Sequence, residues 1–244
     1  MTQRSAQGRP SRGNAELLDS WRAGDAAAGD ELFTRHFRPV SRFFVNKVSS
    51  DRVADLVQET FVVCVEGRDR IADGDRFRAY LLTIAYRVLC RHFQARYRGD
   101  APLNLDVLAT DTIESNPTSV LVRTQEERLL LEGLRSIPTN YQLVLELFYW
   151  ENLKTPEIAM VLGIPSGTVR SRLTRARSAL EAELTRLAKS REALESTLTH
   201  LEDWAERCRD ALGDAAQDGQ SRRGLNTTGT VGSAAGGSGS STSQ

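Results

Sequence analysis

The chain has 244 residues, of which 40% are hydrophobic and 26% are charged, and its formal net charge is zero. This composition predicts a soluble globular protein with one or two modest domains, and the lack of any run of about 18 apolar residues excludes a membrane-spanning helix. Because DNA-binding proteins are usually basic, a neutral chain would have to bind nucleic acid through locally concentrated charge.

The N-terminal segment is polar and basic. Residues 1–13 lack the apolar stretch that a secretion signal requires. We therefore expect a disordered basic arm, and a cytoplasmic protein without membrane insertion.

The spacing of cysteines and histidines indicates neither a disulfide framework nor a metal site. Cys64, Cys90 and Cys208 are far apart, and the three histidines form no ligand cluster. The sequence also has no phosphate-binding glycine loop and no nucleophile elbow. We expect no catalytic residue, no metal and no cofactor.

Residues 14–98 form the first block of predicted helices. Apolar residues recur there at helical rather than strand spacing, so we predict an all-α fold. The last helix of the block begins near Phe77 and ends in RVLCRHFQARYR, residues 87–98, which holds four arginines and no acid. Such a cluster indicates a contact with nucleic acid.

A polar segment over residues 99–122 follows this block. It contains prolines and acids, including Asp106, Asp111 and Glu114, and has no strong period. A stretch of this length without regular structure predicts a flexible linker between two domains.

The second block, residues 123–186, contains a helix-turn-helix pattern. Thr155 can cap the first helix and Pro156 suits its first turn, while Gly163 can take the left-handed conformation that ends it. Ser166 can cap the second helix. The inward face of that second helix consists of Val169, Leu173, Ala176 and Leu180.

The outward face of the second helix has the chemistry for reading DNA. It consists of Arg170, Ser171, Thr174 and Arg175. An arginine can donate two hydrogen bonds to the O6 and N7 of guanine, and a threonine methyl can contact a thymine methyl. Neighbouring Arg172 and Arg177 suit phosphates, which give affinity rather than sequence choice. The alternative interpretation is an ordinary surface helix with solvated arginines.

The chain continues beyond this pattern with an apolar seam and then a tail. Over residues 187–213 apolar side chains recur at steps of four and three, which predicts an amphipathic helical extension that prolongs the seam of Leu180 and Leu184. This seam could pack within the chain, as a helical hairpin or on the protein's own second domain, or it could pack on a partner protein or on a second copy. Residues 214–244 are rich in glycine and serine and are expected to be disordered.

Two parts of the chain resemble bacterial RNA polymerase sigma factors. DLVQETF (55–61) and FRAYLLTIAYRVLCRHFQAR (77–96) resemble region 2 of that family, and LRSIPTNYQLVLELFYWENLKTPEIAMVLGIPSGTVRSRLTRARSAL (134–180) resembles region 4. The short linker makes the resemblance one to the two-domain extracytoplasmic-function (ECF) subfamily of the sigma-70 family, with a C-terminal extension. The resemblance covers about residues 28–186, and it implies a non-enzymatic protein that binds core RNA polymerase and promoter DNA.

The resemblance gives the first domain a polymerase-binding surface. The residues that match it are Asp55, Gln58, Glu59 and Val62. In the family this surface docks on the clamp helices of the polymerase. Asp55 and Glu59 could instead be solvated surface charges.

The resemblance also gives the first domain the residues that contact the minus-10 element and help to melt it. These are Tyr80, Arg87, Arg91, His92, Arg96 and Arg98. Tyr80 could stack on an unpaired base or lie in the core. The base preference of the family does not carry over, because Arg87 and Arg91 stand where the family commonly has Asn and Asp.

Region 4 of the family reads the minus-35 element. The matching residues are Thr168, Arg170, Ser171, Arg172, Thr174, Arg175 and Arg177. By the same resemblance the linker would pass near the active-site channel, where its acids could mimic phosphates or simply form a soluble tether. We hypothesise that residues 187–213 regulate access to DNA or polymerase, alone or with an anti-sigma protein.

Two other functions remain as alternatives. The helix-turn-helix could read an operator without polymerase, which would leave DLVQETF and the second basic helix without a function. The chain could also be a helical interaction scaffold acting through its C-terminal seam, although its DNA-reading pattern is intact.

Overall fold

The computed structural model describes residues 12–71, 73–96 and 125–188. Within these ranges the chain is helical and contains no strand, which confirms the all-α prediction. The elements are α1 (Asn14–Arg22), α2 (Ala26–Val45), α3 (Ser50–Glu66), a 3-10 turn (Arg68–Arg70), α4 (Phe77–Arg96), α5 (Gln125–Ser136), α6 (Thr139–Tyr149), α7 (Thr155–Leu162) and α8 (Ser166–Leu187). Most of the predicted basic arm, the predicted linker, the predicted extension beyond residue 188, the tail and Arg98 lie outside the described residues.

Helices α1 to α4 form the first domain. Asp25 begins α2 by accepting hydrogen bonds from the backbone N–H groups of Ala27 (3.0 Å) and Ala28 (3.3 Å), which the helix itself leaves unpaired. Helices α1 and α2 approach so closely that a Cβ on Gly29 would lie 2.7 Å from the Trp21 indole. The largest buried side chains of the domain include Leu17, Leu32, Phe44, Phe77, Leu82, Leu89 and Phe93. Each contributes about 1.5–3 kcal/mol through burial, and together they fix α4 within the domain.

Helices α5 to α8 form the second domain, and α8 packs against the other three. A Cβ on Gly133 of α5 would lie 2.9 Å from Leu184 and 3.2 Å from Leu180. The first leucines of the predicted C-terminal seam therefore pack on the protein's own α5. This is the intramolecular arrangement, and it applies to residues up to 184.

The turn between α7 and α8 follows the predicted pattern at its glycine but not at its caps. Gly163 has φ 67° and ends α7 in the left-handed conformation. The predicted cap at Thr155 is wrong by one residue: the helix begins at Thr155, and Lys154 donates its backbone N–H to the carboxylate of Glu157 at 2.7 Å. Ser166 is likewise the first residue of α8 and follows the cap residue, Pro165.

The two domains meet where α4 packs against α7, and buried ion pairs join them. Glu151, which follows α6, accepts a hydrogen bond from Arg42 of α2 at 2.7 Å and a second from Arg78 of α4. Arg42 and Glu151 are 6% and 3% exposed, so this pair is shielded from water on both sides.

A second polar cluster lies beside the first. Lys47 is fully buried and donates to the carboxylate of Glu146 and, at 2.7 Å, to the backbone oxygen of Phe43. Asn46 accepts from Arg135 Nε at 2.7 Å, which adds a contact to α5. Because buried ion pairs repay their desolvation cost only partly, these pairs fix the register of the two domains more than they add to stability.

Candidate nucleic-acid interfaces

The outward face of α8 is open to solvent in the folded chain. The face consists of the exposed residues Arg170, Ser171, Thr174 and Arg175. The opposite face is anchored by Val169 and Ala176, both fully buried. The helical period therefore presents the four predicted base-reading residues together, as a DNA major groove requires.

The side chains on this face remain available to a ligand. Arg170 and Arg175 form no ion pair within the described part of the chain, so both guanidinium groups can donate to another molecule. Ser171 and Thr174 donate their hydroxyl groups back to the helix, to the carbonyls of Thr168 (3.0 Å) and Arg170 (3.2 Å). Their oxygens can still accept hydrogen bonds, and both residues are exposed.

The other predicted residues of this site are placed differently. Thr168 and Arg172 are half-buried beside the reading face. Arg177 is exposed, but its Nε donates to the hydroxyl of Tyr149 at 2.9 Å, and its guanidinium carbon lies 5.6 Å from the ring centres of both Phe148 and Tyr149. The sequence did not identify Tyr149; the aromatic run FYW at the end of α6 was the available signal.

A cavity of about 600 Å³ lies beside α4. Its walls come from the end of α3, the 3-10 turn, α4 and α7, and include Gly67, Arg70, Tyr80, Arg87 and Met160. Tyr80 is half-buried and donates its hydroxyl to the Gly67 carbonyl at 3.5 Å. Burial raises the pKa of the Tyr80 hydroxyl, so it stays a neutral hydrogen-bond donor. The structure thus brings Tyr80 and Arg87 together at a hollow whose charged lining also includes Arg70 and Arg76 and the acids Glu66 and Asp73.

Further along α4, two of the predicted DNA-contacting residues are paired or partly buried. Arg91 forms an exposed ion pair with Glu59 of α3 at 2.9 Å, which links a predicted DNA residue to a predicted polymerase residue. Burial, together with Arg52 and Arg96, lowers the pKa of the half-buried His92 ring, which favours its neutral form. Arg96 is exposed.

The predicted polymerase-binding residues share an exposed face of α3. Asp55, Gln58 and Glu59 are exposed, and Val62 is 49% exposed beside them. Val65, which the sequence prediction missed, is 44% exposed one turn further on. The pair of exposed valines next to acids and an amide gives this face an apolar centre with a polar rim.

The described residues show no sign of other chemistry. No group of three or more His, Cys, Asp or Glu side chains among them could hold a metal ion. Burial raises the pKa of the Cys64 thiol to about 12, so this cysteine is an inert core residue. Among the described helices, none is both long and apolar enough to cross a membrane.

Comparison with known proteins identifies both domains. Family models for sigma-70 region 2 and sigma-70 region 4 match residues 32–99 and 127–180, together half of the chain. The ECF RNA polymerase sigma-E factor of Escherichia coli K12 is 26% identical over 173 residues, which span 68% of this chain and 91% of that protein. The corresponding protein of Haemophilus influenzae is 26% identical over 178 residues, 69% of this chain and 93% of that one.

A solved structure supports the same conclusion. CnrH, determined in complex with the cytosolic domain of CnrY, superposes with a TM-score of 0.51 at 25% identity and covers 72% of this chain and 99% of its own. These matches confirm the resemblance at residues 55–61, 77–96 and 134–180. The chain belongs to the ECF subfamily of sigma-70 factors, non-enzymatic subunits that direct RNA polymerase to promoters and start transcription.

Proposed function

We propose that the two basic helices divide promoter recognition between them. Helix α8 reads the minus-35 element through Arg170, Ser171, Thr174 and Arg175, and α4 contacts the opened minus-10 element. The observation that carries this proposal is the exposed, acid-free face of α8, whose two arginines have no protein partner within the described ranges. Each can form a bidentate contact with guanine.

Helix α4 has the features of a single-strand contact. Tyr80 offers an aromatic face at the cavity, and Arg87 offers an exposed charge beside it. Stacking on an aromatic ring stabilises an unpaired base whatever its identity, and a basic track holds the adjoining phosphates. Arg91, released from Glu59, and Arg96 would add further positive charge on the same helix, and His92 and Arg98 remain candidate contacts from the sequence.

The exposed face of α3 is the proposed contact with core polymerase. Asp55, Gln58 and Glu59 supply acceptors and an amide, and Val62 and Val65 supply apolar area. An interface of this kind gains affinity from its apolar centre and orientation from its polar rim.

Binding both promoter elements at once requires the domains to separate. Positions minus 35 and minus 10 are roughly 25 base pairs apart, which corresponds to about 85 Å along the duplex. In the structure α4 touches α7 of the DNA-reading domain, and α8 is only about 33 Å long. The 28 residues from 97 to 124 can span at most about 100 Å when fully extended, so the chain is just long enough.

The domain boundaries and regulation follow from this function. We assign residues 14–98 to region 2, 99–122 to the linker and 123–186 to region 4, and we place the protein in the cytoplasm, where core polymerase acts. CnrH was solved in complex with the cytosolic domain of CnrY, so a protein partner is a candidate here too, and the anti-sigma protein hypothesised from the sequence would be one. Residues 187–213 are the other candidate regulator.

One experiment tests this function against its alternatives. The purified chain is added to core RNA polymerase and a promoter library, and run-off transcripts are sequenced. Specific initiation is expected. DNA binding without polymerase would favour an operator-binding regulator, and neither activity would favour a scaffold. A second preparation that lacks residues 187–244 reports on the extension: unchanged activity and polymerase affinity would exclude its regulatory role.

A further inference from the structure

Arg177 differs from Arg170 and Arg175 because the protein itself holds its guanidinium group. The Nε atom donates to the Tyr149 hydroxyl at 2.9 Å, and the charge lies 5.6 Å from each of two ring centres. The rings of Phe148 and Tyr149 meet edge to face, with centres 5.0 Å apart. These two aromatic residues at the end of α6 form a fixed support for one arginine of α8.

The choice of partner is informative. Glu181 lies one turn after Arg177 on the same helix and is exposed, which is the usual geometry for an ion pair. Arg177 nevertheless forms no ion pair with any described residue, whereas Arg186 on the same helix pairs with Glu183 at 2.8 Å. The Arg177 charge is therefore held without being neutralised, and its two Nη groups have no protein acceptor within the described ranges.

The position of Arg177 suits a phosphate. It follows Arg170 by seven residues, or two turns, along the stripe that also contains Thr174. Two turns correspond to about 10.5 Å along the axis. A helix that places Arg170 at base edges thus brings Arg177 towards the wall of a major groove that is about 12 Å wide.

We propose that Tyr149 and Phe148 are positioning residues for promoter binding, which orient Arg177 towards a DNA phosphate beside the minus-35 element. The inference rests on the proposed function of α8. The Tyr149 hydroxyl occupies Nε and leaves the Nη groups to donate outward as a fork. Because the rings already fix the side chain, little rotamer entropy is lost when DNA binds.

The test uses the full-length protein assembled with core polymerase and the promoter fragments that this wild-type holoenzyme selects from a random library. Binding is measured over a range of salt concentrations. Arg177→Ala is expected to weaken binding by the same factor on every selected sequence and to reduce the slope of log K against log salt by about 0.9. Tyr149→Phe, which keeps the ring, is expected to weaken binding about 2- to 10-fold.

A double variant separates positioning from structural support. If Tyr149 acts through Arg177, Tyr149→Phe has no further effect in the Arg177→Ala background. Arg177→Lys should keep the salt slope but lose its sensitivity to Tyr149→Phe, because lysine lacks the fork. Arg186→Ala is the matched control and should leave affinity and slope unchanged.

Two outcomes would overturn the inference. In one, the effects of Tyr149→Phe and Arg177→Ala on binding add. In the other, both variants lower thermal stability while binding stays at the wild-type level, which would make the contact a tether between α6 and α8. Arg175→Ala tests the underlying function separately: if it does not discriminate between sequences, α8 does not read the element, whatever Tyr149 does.

Discussion

The two basic helices of this sigma factor contribute to the fold in different ways. Nine of the 20 residues of α4 are buried, on several sides of the helix, whereas the five buried residues among the 22 of α8 follow a single stripe. Helix α4 also packs against the second domain through α7. As a result a whole face of α8 is available for the proposed DNA contact, whereas α4 has only the side chains that lie outside the core available for its own.

The difference extends to the charges of the two helices. Arg78 and Arg91 of α4 are bound to acids of other elements, Glu151 and Glu59. Arg170 of α8 has no such partner among the described residues. Substitution of a paired arginine on α4 should therefore affect stability as well as any DNA contact, and a substitution on the face of α8 should affect DNA binding alone.

The largest effect is expected for Glu151→Ala. It removes the carboxylate that the buried Arg42 and the half-buried Arg78 share, and breaking a buried pair in this way costs about 3–5 kcal/mol. Separation of the domains would return both charges to water at a smaller cost. We expect the radius of gyration from small-angle X-ray scattering to increase while the helix content from circular dichroism stays the same.

Glu183→Ala is the control for this substitution. It breaks a surface pair with Arg186, so the radius of gyration should stay the same and the free energy of unfolding should change by no more than about 1 kcal/mol. A Glu151→Ala protein with wild-type dimensions and stability would show that the ion pairs do not hold the domains together.

The next largest effect is a pH dependence of stability that comes from the buried His36 of α2. His36 packs on Phe77 with ring centres 5.1 Å apart, and burial, with the nearby Arg78 and Arg35, lowers the pKa of His36 to about 4. The unfolded chain binds this proton near pH 6.5. The contribution of His36 to the free energy of unfolding is therefore fully present above about pH 6.5. It is lost as the pH falls towards 4, by an amount on the order of 3 kcal/mol.

Urea unfolding at pH 7.5 and pH 5 measures this loss. His36→Gln removes the titration, so its two midpoints should lie closer together than those of the wild type. His92→Gln is the comparison, because His92 is more exposed and should contribute less. Equal pH dependence in the wild type and His36→Gln would assign the acid sensitivity to other groups.

On the open face of α8, Arg175→Ala should weaken minus-35 binding by about 1–3 kcal/mol on the preferred sequence. The loss should be smaller on sequences changed at the contacted base pair, because those sequences lack the bidentate acceptor. Thermal stability should be unaffected, since Arg175 is exposed and has no described partner. Equal loss on all sequences would assign Arg175 to a phosphate.

The contrast between the helices also explains what the sequence could predict. The face of α8 depends on local chemistry: the period of Val169, Leu173 and Ala176 and the glycine that ends α7 are visible in the sequence. The contacts of Glu146 and Glu151 with α2 and α4 join residues that are 73 to 109 positions apart. Periodicity reveals which face of a helix is buried but not which helix covers it.

The same limit applies to single side chains. Arg177 and Tyr149 are 28 residues apart, so their contact depends on how α6 crosses α8. The sequence predicts the start of α7 one residue too late, because Thr155 and Glu157 are both plausible capping residues. In the structure the carboxylate of Glu157 accepts a hydrogen bond from the backbone N–H of Lys154.

The smallest effect is expected at Tyr80, where α4 must satisfy both the core and DNA. The ring is half-buried, so it can offer only part of its face, and stacking on an unpaired base should contribute about 1 kcal/mol, the lower end of the usual range. Tyr80→Phe retains the ring and loses only a long hydrogen bond, so it should behave like the wild type.

Tyr80→Leu retains the apolar bulk and removes the stacking surface. We expect the leucine variant alone to bind a promoter with a pre-opened minus-10 bubble about fivefold more weakly, with thermal stability close to that of Tyr80→Phe. If the leucine variant is instead destabilised and binds the bubble normally, Tyr80 is a core residue, and the DNA contacts of α4 consist of its arginines.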